Sequence, residues 1–265
     1  MHLHYRSYGS GEPLLILHGL FGSLDNWHSI SLKLGERFRV LAIDQRNHGH
    51  SPHHEEMSYP TMAGDLSELL QQEGISQANV LGHSMGGKTA MHFALLFPDQ
   101  VRKLIVVDIA PRVYSPRHEI IIRALRALDL STFESRRQLE QALAGPIPDL
   151  ALRQFLLKNI LRTSEGRFAW RIGLAEIERN YPALRGAIPP GTIFSKPVLF
   201  VRGERSDFLH EDDLPMIHRL FPAARLETIP KAGHLVHIEN QAHFLSTLLS
   251  FLAEPAASPD ISLPA

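Results

Sequence analysis

Cysteine is absent from the chain, which excludes disulfides, thiol nucleophiles and thiolate metal centres. The same absence accords with a reducing compartment, so a cytoplasmic location is expected. Net charge is nearly absent too: 27 Lys+Arg stand against 28 Asp+Glu, a balance that gives no broad electrostatic surface for nucleic acid or an anionic membrane. Long apolar runs are also missing. No segment approaches the roughly 18 consecutive apolar residues of a membrane span, and Met1 to Gly9 mixes His, Tyr and Arg where a secretory leader would be apolar, so the mature chain is expected to start near residue 1. What is present is a hydrophobic fraction of 44% over 265 residues, enough for one sizeable core.

Short apolar runs alternate with longer amphipathic stretches, the pattern of βα units around a mostly parallel sheet. The runs at 14–17, 39–43, 79–82, 103–108, 197–201 and 225–229 read as strands, and those at 62–72, 87–97, 212–221 and 242–252 carry apolar residues at helical spacing. The fold class is therefore α/β, a doubly wound sheet with helices on both faces. Between Pro111 and Lys196 the alternation stops; no strand-like run is evident and Arg, Glu, Leu and Ala recur at helical spacing. The spacing predicts a core in two parts, 1–111 and 196–253, interrupted by a helical cap over 112–195 and followed by a loose Pro-, Ala- and Ser-rich tail over 254–265.

The stretch "NVLGHSMGGKTA" (79–90) places Gly82-His83-Ser84-Met85-Gly86, a GxSxG pentapeptide, between a strand and a helix. A chain that turns abruptly from strand to helix strains its middle residue and needs small residues two places to either side. Ser84 is thereby the candidate nucleophile. Its hydroxyl needs a base, and among 16 histidines His234 is the one on a loop between the last strand and the last helix, at the same sheet edge. His237 and His83 read as packing residues, and His53, His54, Glu55 and Glu56 as a solvated loop, with no metal site. An oxyanion hole requires two N–H donors. Met85 supplies one, and the loop "HGLFGS" (18–23) the other, through Leu20 as first choice and Phe21 as second.

These residues resemble the α/β-hydrolase fold along essentially the whole chain, through "HGLFGS", "DQRNHGHS" (44–51), "GHSMGG" and "AGHLVH" in order. More narrowly, the RNHG variant at 46–49, the "GHSMGGK" elbow and "VVDIAP" (106–111) resemble the YbfF-like esterases and their animal relatives in the ABHD11 group. The resemblance implies an eight-stranded, mainly parallel sheet, a helical cap, and hydrolysis of short acyl esters or acyl-CoA thioesters with no cofactor. It implies a structural role for Asp44 and Arg46.

Two aspartates qualify as the acid that orients His234. Asp207 follows the strand at 197–201, where most α/β hydrolases keep theirs, but the usual slot three residues after Gly203 holds Ser206. Asp108 ends an apolar strand, would be costly to bury unpaired, and matches the acid of YbfF-like enzymes; it is favoured, with Asp207 as the alternative. Leu20, Phe21, Met85 and Phe208 are expected to face a substrate pocket. The cap arginines Arg112, Arg117, Arg123 and Arg126 could meet CoA phosphates, although a solvated helix face is the better default for each. The expected function is a serine esterase acting on a small-molecule ester or thioester. Carbon-carbon bond hydrolysis, cofactor-free perhydrolysis and a non-catalytic ligand-binding relative are the alternatives. The sequence assigns no oligomeric state.

Overall fold

In the computed structural model, which describes residues 1–255, nine strands and ten α-helices follow in order. They are β1 (Tyr5–Tyr8), β2 (Glu12–Leu17), α1 (His28–Leu34), β3 (Phe38–Ile43), α2 (Tyr59–Gln72), β4 (Ala78–His83), α3 (Met85–Leu96), β5 (Val101–Val107), α4 (Glu119–Arg126), α5 (Arg136–Leu143), α6 (Leu150–Leu157), β6 (Ile160–Arg162), β7 (Phe168–Trp170), α7 (Leu174–Leu184), β8 (Val198–Gly203), α8 (Leu214–Leu220), β9 (Ala224–Ile229), α9 (Val236–Glu239) and α10 (Gln241–Ala253).

Seven strands form one sheet in the order β1-β3-β2-β4-β5-β8-β9, parallel throughout except where β1 runs antiparallel to β3. The inner strands are apolar on both faces because both faces are covered. Along β2 the alternation sorts Leu15 and Leu17 to a layer with α2, α3 and α8, and Leu14 and Ile16 to a layer with α1 and α10. The register aligns strand ends, Leu17 with Gly82 and His83 with Val107, so the loops that leave them share one edge.

Two expectations are corrected. The sheet has seven strands among the described residues, not the eight that the resemblance implies: to the six apolar runs it adds only β1, a four-residue edge strand whose middle pair is exposed and which therefore lacks the apolar signal of the inner strands. The segment 112–195 is not purely helical either. It contains α4 to α7 together with the antiparallel hairpin β6–β7, whose three-residue strands are too short to display a two-residue period. The apolar faces of this segment pack into a separate cluster with Phe21, Met57, Tyr59, Met62 and Met85. Its two ends lie side by side: the Ile188 N–H donates to the Pro111 carbonyl (2.9 Å) and the Tyr114 N–H to that of Arg185 (3.0 Å). Of the expected tail, residues 256–265 lie outside the described residues.

Candidate active site

The turn from β4 into α3 is built on glycine because nothing larger fits. A Cβ on Gly82 would lie 2.1 Å from the Gly86 carbonyl oxygen, and one on Gly86 would lie 2.5 Å from that of Leu17. Between them Ser84 takes φ 53°, ψ −117°, a conformation costly for a residue with a side chain. Its N–H donates to the Val107 carbonyl (3.0 Å), which locks the turn to β5 and leaves the hydroxyl at the N-terminus of α3.

His234 arrives on the loop after β9, held there because the His83 Nε2–H donates to the His234 carbonyl (2.9 Å). Its Nε2 stands 3.1 Å from the Ser84 hydroxyl and its Nδ1 2.7 Å from Asp108 Oδ2. The fully buried Asp108 leaves β5 at φ 53°. Its carboxylate also accepts the Gly203 N–H (3.1 Å) and the Ser206 hydroxyl. The carboxylate orients Nδ1 as a donor, so Nε2 faces the serine as an acceptor. Asp207 is not brought to this group. Its side chain is 66% exposed and bonded to Arg117 (2.7 Å), and that guanidinium holds its carboxyl below the usual range. The physical reason is direction: Ser206 turns inward to Asp108 while its neighbour turns to solvent.

The "HGLFGS" loop crosses in front of Ser84, where a Cβ on Gly19 would stand 3.3 Å from that of the serine. The Phe21 N–H is already used, donating to His48 Nε2 (3.2 Å), whereas the N–H groups of Leu20 and Met85 make no hydrogen bond among the described residues. "DQRNHGHS" sets this loop. Asp44 accepts the Leu24 N–H (2.8 Å), the Gln45 N–H donates to His18 Nε2 (3.1 Å), and Arg46 forms a buried two-point pair with Asp65 (2.6 and 2.7 Å).

Neutral imidazoles surround the serine. Burial pushes His18 down to about 4, His48 and His237 to about 3, and His83 well below its ordinary value; His237 stacks on Trp27, 4.1 Å between centroids. Phe208 stacks on the His234 ring at 3.9 Å, and Phe21 lines the space beyond Ser84. Sequence reasoning missed Lys88, Tyr59, Tyr181 and His118, all of which line the site. Lys88 had left a signal, a lone cation in an otherwise apolar helix. The arginines Arg112, Arg117, Arg123 and Arg126 are each paired with a carboxylate, of Asp213, Asp207, Glu119 and Glu178.

The profile of the alpha/beta hydrolase fold family matches residues 12–172. The chain belongs to the α/β-hydrolase family. This hydrolase is 40% identical to the sn-1-specific diacylglycerol lipase ABHD11 of Danio rerio, across 92% of the chain and 79% of the relative. It is 35% identical to esterase YbfF of Escherichia coli K12, across 92% and 94%. Among solved structures, an esterase from a marine microorganism superposes with a TM-score of 0.91 at 46% identity, covering 94% of this chain and 98% of that one. The hydrolase is thus a carboxylic ester hydrolase of the YbfF and ABHD11-like group. No helix among its described residues is long and apolar enough to cross a membrane.

Proposed function

We propose that the chain is a serine esterase that cleaves short-acyl esters through an acyl-enzyme. Ser84 is the nucleophile, His234 the base, Asp108 the acid, and the N–H groups of Leu20 and Met85 the oxyanion donors. The observation that carries this reading is the unbroken series from the Ser84 hydroxyl through both ring nitrogens of His234 to a buried carboxylate, at 3.1 and 2.7 Å.

In the first step the Ser84 oxygen attacks the ester carbonyl as its proton passes to Nε2. The developing oxyanion is met by the Leu20 and Met85 amides at a helix N-terminus, where such donors act most strongly. The imidazolium, stabilised by Asp108, protonates the leaving oxygen, and water repeats the sequence on the acyl-enzyme. The segment 112–195 acts as a cap that walls the pocket, and no cofactor takes part. Pairing of Arg112, Arg117, Arg123 and Arg126 with carboxylates takes these four from the cations that CoA phosphates would engage, which supports oxygen esters over CoA thioesters.

Ser84→Ala is expected to abolish p-nitrophenyl acetate hydrolysis with the circular dichroism spectrum unchanged. Turnover by that variant above the uncatalysed rate would refute the assignment. Hydrolysis of acetyl-CoA as fast as of acetate esters would overturn the preference for oxygen esters alone.

A further inference from the structure

Two cavities meet at Ser84. The smaller, about 40 Å³, is walled by Met85, Tyr59, Tyr114, Tyr181 and Leu184. The larger, about 390 Å³, opens past His234 between Phe21, Trp27, Ile121, Leu152 and Phe155. Of the two, the larger alone is lined by His234. Granted the acyl-enzyme chemistry proposed above, this asymmetry assigns each side. The imidazolium must hand its Nε2 proton to the departing oxygen, so the leaving group lies on the side of the ring, and the acyl group is left with the smaller space.

The smaller space does not readily expand. The Tyr59 hydroxyl donates to the Leu184 carbonyl (2.7 Å), that of Tyr114 to the Phe208 carbonyl (2.5 Å), and that of Tyr181 accepts the His118 N–H (2.9 Å). Displacing any of these rings breaks a hydrogen bond in a buried setting, where an unpaired group is costly. At roughly 10–15 Å³ for each water-sized occupant, 40 Å³ admits about three such groups.

The larger space has a different character. Its two charged side chains are already engaged, Arg117 with Asp207 and Asp149 with the N–H groups that open α6. Its buried histidines are neutral, since burial holds His18 at about 4 and His237 at about 3. The geometry points to an enzyme that removes an acyl group of about two to four carbons from a bulky, uncharged, largely apolar alcohol.

Isomeric esters test the assignment, because hexyl acetate and ethyl hexanoate share one composition and differ only in which side of the carbonyl carries the chain. Hexyl acetate is expected to have the higher kcat/KM by at least about tenfold, the discrimination that a methylene or more commands in a fitted apolar pocket. Leu184→Ala should shift the ratio towards ethyl hexanoate, and Leu152→Trp, at a half-buried position of the larger cavity, should lower hexyl acetate turnover more than that of methyl acetate. Should Leu184→Ala fail to fold, the Leu152 variant and the wild-type ratio still decide. Equal rates, the reverse order or an unmoved ratio in the folded variants, with p-nitrophenyl acetate still cleaved, would overturn the assignment and leave ester hydrolysis standing. Loss of every ester, p-nitrophenyl acetate included, would remove the underlying chemistry as well.

Discussion

Asp108 and Ser206 meet beside the His234 ring, having left neighbouring strands of the sheet. The slot three residues after Gly203 holds a hydroxyl, and that hydroxyl hydrogen-bonds a carboxylate arriving from the neighbouring strand. The fully buried Asp108 carboxylate has three donors around it, the Gly203 N–H, the Ser206 hydroxyl and His234 Nδ1, whereas Asp207 is solvated and paired with Arg117. Asp108→Asn is therefore expected to lower kcat by about 10⁴-fold, as loss of the orienting acid does elsewhere. Asp207→Asn should stay within about fivefold, the scale of an exposed ion pair. Steady-state kinetics on one ester compares them directly. Ser84 and His234 could be picked out from the residue string because strand, elbow, loop and chain order all constrain them. The two aspartates could not be separated by residue pattern alone, since burial depends on which way a loop turns.

At the level of elements, the five inner strands β2, β3, β4, β5 and β8 were legible because both of their faces are buried and their apolar runs are continuous. β1 and the β6–β7 hairpin were not, being short and half exposed. The start of α2 at Tyr59 rests on the Ser58 cap and Pro60, a signal local enough to have been read. Lys88 is marked in the sequence as a lone cation in an apolar helix, but its role is not legible there, because it is defined by partners distant in sequence. Its side-chain nitrogen, one turn along α3 from Ser84, donates to the carbonyls of Arg112 (2.8 Å), Arg185 (3.4 Å) and Gly186, so a single side chain ties both ends of the inserted segment to the helix behind Ser84. Burial pushes its pKa down to about 7. Lys88→Met would remove this donor from the Arg112 and Gly186 carbonyls, while that of Arg185 keeps the Tyr114 N–H, and is expected to cost about 3 kcal/mol in urea unfolding. An unchanged midpoint would show that the ends are held by other contacts.

For the whole molecule, the buried histidines govern acid stability. His18, His48 and His237 have pKa values of about 4, 3 and 3 in the folded protein against an ordinary 6.5, all through desolvation. Between pH 6.5 and about 4 the unfolded chain binds protons that the folded one refuses, so unfolding is favoured as pH falls, by up to about 1.4 kcal/mol per pH unit for each group. The melting temperature is expected to be flat above pH 7 and to drop steeply from 6.5 to 4. A level profile across that range would mean that these rings are solvated.

The adjacent ends of the inserted segment, Pro111 bonded to Ile188 and Tyr114 to Arg185, carry a consequence for the lineage of the enzyme. A module that departs from and rejoins its host at one point can be swapped whole, as a tool head is changed on a fixed shaft. Tyr181, Leu184, Leu152 and Phe155 would travel with it, while the serine, the imidazole and the carboxylate would stay behind. One wall of each pocket is thereby separable from the host, and the other, Tyr59 and Met85 on one side, Phe21 and Trp27 on the other, is not.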